Sequence, residues 1–295
     1  VTTPHRQADE VLAVAAGVAG VDDEGAELIR DGANVMYRLT GGIVARIGPG
    51  GSRASAVRQV EVTEWLSSQG IPVVRALSGV PQPTMVEDRP VTWWELLPPH
   101  RPATPRELGG VLRLLHTLTP PVRPELPEFD PFAGLDERIS AAHHLPDEDR
   151  SWLAHHASEL RAQLHNLPWD ATERVIHGDA WQGNVAVPES CPPILLDLDH
   201  VSRGHPDWDL IPIAVDYTDF ARLTSADYHD FVTGYGGRDV TVARDFRLFA
   251  DIQELRWVCF VLGKAATSAE AARETQHRIA CLRGQIPRPW TWTAF

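Results

Sequence analysis

His177-Gly178-Asp179-Ala180-Trp181-Gln182-Gly183-Asn184, with Leu195-Leu196-Asp197-Leu198-Asp199 following it, is the stretch on which the reading of this chain turns. It sets an aspartate, an amide five residues later, and a second carboxylate thirteen residues after the amide. Phosphoryl transfer asks for such a set: one group to orient an attacking hydroxyl and accept its proton, and hard oxygen ligands to hold Mg2+ against nucleotide phosphates. Asp197 and Asp199 are two apart, so a strand running through both would project them to one side and make Asp199 a candidate second metal ligand. Apolar runs at Val175-Ile176 and Ile194-Leu195-Leu196 flank these residues.

Working outward, the N-terminal third is rich in extended patterns and the remainder in helical ones. A short helix is expected from Pro4 to Gly17, then strand-like runs from Glu27 to Ile47 broken at Asp31-Gly32 and Gly41-Gly42, which read most simply as a hairpin. Ala54 to Ser68 has a helical pattern, Val73 to Leu77 and Thr84 to Leu97 look extended, and Pro98-Pro99 with Pro102 ends the segment. Thr104-Pro105-Arg106-Glu107 then has the form of a capping box with proline at the first helical position. Leu108, Val111, Leu112 and Leu115 follow at the spacing of one buried helical face. A proline-rich linker spans Pro120 to Pro131, helices are expected over Phe132 to His144 and Glu148 to His165, and the chain from Trp208 onward is mostly helical.

Composition narrows the function classes. The 295 residues are 43% hydrophobic and support a sizeable core, and the formal charge of -13 argues against a nucleic-acid partner. A cationic or neutral small molecule is easier to accommodate. The polar N-terminus and the short run Val11 to Ala16 suit neither a signal peptide nor a membrane span, so a soluble cytoplasmic protein is expected. Cys191, Cys259 and Cys281 form no CxxC pair and suggest neither a disulfide framework nor a thiolate metal site. The histidines His143, His144, His155, His156 and His165 fit no compact zinc spacing. Among the basic residues there is one lysine, Lys264; the rest are arginine.

The string HGDxxxxN followed by an aspartate at a strand end resembles the Brenner-type motif of the aminoglycoside phosphotransferases and the related choline, fructosamine and homoserine kinases. That resemblance implies a two-lobed, protein-kinase-like α+β fold, with a β-rich nucleotide-binding lobe over residues 1–97 and a helical catalytic and acceptor-binding lobe over 98–295. It implies Asp179 as catalytic base, Asn184 and Asp197 as Mg2+ ligands, ATP or GTP as phosphoryl donor, and a small-molecule hydroxyl as acceptor. The stretch Ile43-Val44-Ala45-Arg46-Ile47 resembles the strand that carries a phosphate-contacting lysine in kinases, with Arg46 in its place. The acidic partner position on the following helix falls on Gln59, a departure from the family pattern, while Glu61 points about 200° away. Trp93-Trp94-Glu95-Leu96-Leu97 resembles the hinge, where the Trp94 carbonyl and Leu96 amide are expected at the purine edge. The departure at Gln59 and the arginine at 46 motivate the alternative of an inactive nucleotide-binding pseudokinase.

Three further readings stay open in the sequence. Asp209, in Gly204-His205-Pro206-Asp207-Trp208-Asp209-Leu210, either holds backbone groups of the catalytic loop or is a simple helix-start carboxylate. His177 and His116 read as packing residues rather than bases. Asp216, Asp219, Asp227 and Asp230 either receive amines of a cationic acceptor or, the favoured reading, line a solvated helical face.

Overall fold

A computed structural model describes residues 4–167 and 173–295. Its elements in chain order begin with α1 (Pro4–Ala19), β1 (Glu27–Asp31), β2 (Val35–Leu39), β3 (Ile43–Ile47), α2 (Arg53–Ser68), β4 (Thr84–Val86), β5 (Arg89–Glu95) and β6 (His100–Pro102). Then follow α3 (Pro105–Leu115), α4 (Leu135–Ser140), α5 (Asp147–His165), β7 (Arg174–Ile176), β8 (Val185–Pro188), β9 (Ile194–Leu195) and β10 (Ser202–Gly204). The remainder is helical: α6 (Asp207–Thr218), α7 (Ser225–Tyr235), α8 (Phe246–Ala265) and α9 (Ala269–Leu282). The α+β class and the β-rich start with a helical remainder are as expected. Contacts divide the chain into one unit of Val1–Thr104, Pro121–Leu126 and Gln182–Val201, and a second of Pro105–Pro120, Pro127–Trp181 and Ser202–Phe295.

In the first unit a five-stranded antiparallel sheet runs in the order β1-β2-β3-β5-β4. The stretch read as one hairpin is thus a three-stranded meander, because Gly41 and Gly42 take φ of 71° and 74° and turn the chain a second time. Alternation along β3 decides what each residue faces. Ala45 and Ile47 join Val91 and Trp93 of β5 in a core with Leu12, Ala15 and Ala16 of α1. Val44 packs with Trp94 and with Val60 of α2. Arg46, two residues on from Val44, is therefore delivered to the α2 side. The indoles are satisfied inside this unit, Trp93 Nε1 donating to Thr84 Oγ1 and Trp94 Nε1 to Thr92 Oγ1, both at 2.9 Å. Val73 to Leu77 makes isolated bridges rather than a strand, Val73 with Leu195 and Ala76 with Trp94.

In the second unit α3 and α7 lie with their backbones in near contact. A Cβ on Gly109 would stand 2.4 Å from the Phe231 carbonyl oxygen, and one on Gly234 would stand 2.2 Å from that of Arg106. Only glycine fits either place. Leu108, Val111, Leu112 and Leu115 are all buried, as their spacing predicts. The helix expected over Phe132 to His144 is shorter, with only Leu135–Ser140 helical and turns on either side. Among the described residues no helix is long and apolar enough to cross a membrane.

A partly buried charge cluster joins α6, α8 and the C-terminal segment, with Asp219 and Glu254 at its buried end. Arg247 donates to Asp219 at 2.7 Å and to Asp251 and Glu254 at 2.8 Å, while Arg288 reaches Asp219 at 3.2 Å and Glu254 at 3.1 Å. Three carboxylates meet two guanidiniums, and the surplus negative charge is relieved on Glu254, which burial and the neighbouring Asp219 push up to about 9. Folded chains therefore hold a proton there that unfolded chains lose above the ordinary glutamate range, so this group makes stability fall as pH rises from about 4.5 toward about 9. Glu254→Gln is expected to remove that slope, raising the midpoint of thermal unfolding at pH 8 relative to wild type by several degrees, on the order of 2 kcal/mol. An unchanged pH slope in melts of the variant would place the proton elsewhere.

Candidate active site

The Asp179 loop leaves β7, which pairs antiparallel with β10 so that Val175 lies opposite Arg203. Gly178 follows with φ of 80°, a backbone state that suits glycine. The loop is clamped from beneath by Asp209, in the first turn of α6 and only 1% exposed. Asp209 Oδ2 accepts from the His177 amide at 2.6 Å and Oδ1 from the Gly178 amide at 2.8 Å. His116, directly after α3, donates from Nε2 to Asp209 Oδ2 at 2.9 Å, and its Nδ1 meets the Tyr235 hydroxyl at 2.8 Å. Of the two sequence readings of Asp209, the backbone clamp is the one observed. Burial works to raise the Asp209 carboxyl, but the hydrogen bond and charge of His116, with His177, hold it below the usual carboxylate range.

His177 is fully buried, and its Nδ1 accepts the Asp179 amide at 3.3 Å. It shapes the loop, in line with its reading as a packing residue. One neighbour of Asp179 escaped the sequence reading: Arg256 of α8, whose guanidinium lies 5.1 Å from the Phe129 ring centroid. Burial lowers the Arg256 pKa and the negative charge of Asp179 opposes that shift. The signal in the sequence was an arginine directly ahead of the apolar run Trp257 to Gly263. Trp181, two residues beyond Asp179, is 54% exposed.

The other predicted residues lie in the first unit. Asn184 closes a short turn over Gln182–Asn184 and is 8% exposed. Its carbonyl accepts the Leu196 amide at 2.9 Å, which brings Asn184 beside the residue preceding Asp197. Asp197 takes φ 52° and ψ 56°, and a 3-10 turn follows over Leu198–His200. The strand thus stops at Leu195, and the expectation that Asp197 and Asp199 share one strand face is corrected: a left-handed residue and a tight turn separate them. Asp199 instead forms a two-pronged ion pair with Arg46, Nη1 to Oδ1 at 3.1 Å and Nη2 to Oδ2 closer still. The pair is partly buried, with 13% and 24% of the two side chains exposed.

Arg46 and Asp199 line a cleft of about 170 Å³ together with Asn34, Ser52, Gln59 and Thr92. Gln59 is 7% exposed, whereas Glu61 and Glu64 of the same helix are exposed, as their helical angles predict. At the expected hinge, the Leu96 amide donates to the Gly42 carbonyl at 2.7 Å and Trp94 pairs with Val44 across the sheet. The Leu96 amide, expected at a purine edge, is thus engaged within the first unit's own backbone.

Among the described residues no three His, Cys, Asp or Glu could together hold a metal. That answers the histidine alternative: His155 bonds Glu159 at 3.2 Å and His156 stacks on Trp152. Mg2+ does not need such a cage, since it takes one or two protein oxygens and completes its shell with phosphate and water. The amide of Asn184 and the carboxylate of Asp197 fit that demand. The acidic stretch after the motif has internal partners: Asp216 bonds Arg222 at 2.8 Å, Asp230 bonds Arg106 at 2.6 Å, Asp227 closes a capping box with Thr224, and Asp219 sits in the charge cluster. The bonds of Asp216, Asp227 and Asp230 lie at the exposed surface, in keeping with a solvated face, whereas Asp219 is 3% exposed and departs from that reading.

A kinase-like fold with a clamped aspartate loop defines the class, and comparison with known proteins defines the family. A sequence model of the phosphotransferase enzyme family (APH) matches residues 25–246, and the chain belongs to that family. No curated protein sequence matches the chain. Among solved structures it is similar to an amicoumacin kinase in complex with AMP-PNP and Ca2+, at 16% identity over 97% of both chains with a TM-score of 0.75. It is similar to a choline/ethanolamine kinase family protein from Mesorhizobium loti, at 16% identity over 96% of this chain and 95% of that one, TM-score 0.67. An aminoglycoside phosphotransferase from Streptomyces rimosus shares 22% identity over 83% and 97% of the two chains, TM-score 0.59.

Proposed function

We propose that this chain is a small-molecule kinase that moves the γ-phosphoryl of ATP or GTP, bound with Mg2+, to a hydroxyl of a sugar, an amino alcohol or an aminoglycoside-like compound. The observation that carries this reading is the Asp209 clamp. A carboxylate buried to 1% exposure and spent on two loop amides is a preorganising device for the residue that loop presents, Asp179. Asp179 orients the acceptor hydroxyl and takes its proton. Asn184 and Asp197 hold the metal, which supplies charge neutralisation at the phosphates, and Arg46 contacts the phosphate oxygens. Support for a nucleotide with a divalent cation comes from the similar amicoumacin kinase, solved with both. Nucleotide contacts fall to the first unit and the base to the second, in a cytoplasmic enzyme.

The test is nucleotide turnover with Mg2+ across a panel of aminoglycosides, sugars and amino alcohols. Acceptor-stimulated turnover establishes the reaction and names the acceptor class; nucleotide binding without turnover on any acceptor favours the inactive nucleotide-binding module. A separate expectation concerns the metal. Asn184→Ala or Asp197→Ala raises the Mg2+ concentration needed for half-maximal nucleotide binding by roughly tenfold or more, because each removes one of few protein oxygens on the ion. Calorimetric Mg2+ titrations at fixed nucleotide measure this, and an unshifted midpoint in both variants removes them as ligands.

A further inference from the structure

Among the described residues Arg46 has one carboxylate partner, and it is not on the helix that packs beside it. Strand alternation sends the Arg46 side chain to the α2 face, where the residue in reach is Gln59, buried and neutral. Among the described residues the Gln59 amide has no side-chain hydrogen-bond partner, and it lines the cleft that Arg46 and Asp199 also line. Glu61 and Glu64 face solvent. The counter-charge arrives from 153 residues away, on the turn that follows Asp197.

We infer that Asp199 is the exchangeable counter-ion of Arg46, and that binding of a metal–nucleotide complex opens this pair, so that phosphate affinity depends on the divalent cation. The inference rests on the phosphotransferase reading above and concerns the same site. In the structure, both prongs of the guanidinium are committed to a carboxylate, so a phosphate approaching Arg46 meets a donor already engaged and a negative charge beside it. A cation arriving with the nucleotide changes both terms. It gives the Asp199 oxygens a new partner and leaves Arg46 free for phosphate, so each charge is exchanged for another of the same sign. Gln59 makes the exchange possible, because a carboxylate at that position would keep Arg46 engaged from α2 while Asp199 turned to the metal. Once Arg46 shifts to phosphate, the Gln59 amide lies beside it as a further donor facing the cleft.

The experiment measures binding of a fluorophore-labelled ATP and GTP in EDTA and in saturating Mg2+, without any acceptor, for wild type, Asp199→Asn, Gln59→Glu and the double variant. Circular dichroism and thermal melts check that each is folded. In EDTA, Asp199→Asn is expected to bind nucleotide on the order of tenfold more tightly than wild type, and its gain on adding Mg2+ shrinks accordingly. Placing Gln59→Glu on that background restores a carboxylate beside Arg46 and returns metal-free affinity toward the wild-type value. The inference is overturned if folded Asp199→Asn binds metal-free nucleotide no more tightly than wild type, or if the double variant behaves like Asp199→Asn alone. Wild type that binds neither nucleotide in either buffer overturns the phosphotransferase reading and this inference with it, an outcome distinct from wild type that binds while Asp199→Asn leaves affinity unmoved.

Discussion

Asp179→Ala is expected to lower acceptor-dependent phosphoryl transfer by roughly 10²–10⁴-fold while leaving nucleotide affinity within about twofold of wild type. The split follows from position. Asp179 belongs to the loop held by Asp209 and His177 in the second unit, whereas the residues proposed to meet phosphate and metal, Arg46, Asn184 and Asp197, belong to the first. A base acts on the hydroxyl proton only as the bond to phosphorus forms, so its loss is felt in kcat and little in ground-state nucleotide binding. Arg256 sharpens the expectation. Asp179 opposes the pKa shift that burial imposes on that guanidinium; alanine and asparagine both remove this charge, so a comparable loss of turnover is expected in Asp179→Asn. Steady-state kinetics on the best acceptor of the panel, set beside nucleotide titrations, read out both halves. Turnover within a few-fold of wild type in either variant would sink the base assignment.

What the sequence made legible followed from local rules, and what it hid depended on distant contacts. The α3 face was readable because Leu108, Val111, Leu112 and Leu115 repeat at the helical period, and a helix with that stripe has to bury it. Arg46 and the misfit at Gln59 were placed by resemblance to the kinase pattern, and helical spacing added only that Glu61 points away. The ion pair with Asp199 was not legible, because nothing local joins residues 153 apart. The shared face expected of Asp197 and Asp199 failed at one backbone angle, the left-handed state of Asp197, which no apolar pattern announces. The engagement of the Leu96 amide by Gly42 was not legible either, because it continues the pairing of β5 with β3 one residue beyond the strand. Asp219 was misread for the same reason as the charge cluster was missed: its partners Arg247 and Arg288 come from other segments, and only the folded chain says which carboxylates they reach.

Asp209→Ala should be the most damaging single substitution outside the reacting groups, in stability and in turnover together. It strips the acceptor from the His177 and Gly178 amides and from His116 Nε2, three donors at 2.6, 2.8 and 2.9 Å that the surrounding protein keeps from water. Leaving such donors unsatisfied costs about 3 kcal/mol or more, a fall of roughly 5 °C or more in the melting midpoint of a chain this size. Asp209→Asn keeps one carbonyl oxygen but turns an N–H group on a donor, so it sits between wild type and alanine. The pH dependence has a fixed sign. Because the folded carboxyl is held below its ordinary range, its stabilisation is present in full above the usual aspartate value and is lost only as pH falls through the folded one. Wild type and Asp209→Asn should therefore differ by a constant amount at neutral pH and converge in acid. If the clamp acts by positioning Asp179, kcat of folded Asp209→Asn drops well below wild type while the nucleotide KM stays put. A variant that loses only stability, with kcat intact below its melting range, would show that the loop holds its shape without the carboxylate, and that Asp209 serves packing alone.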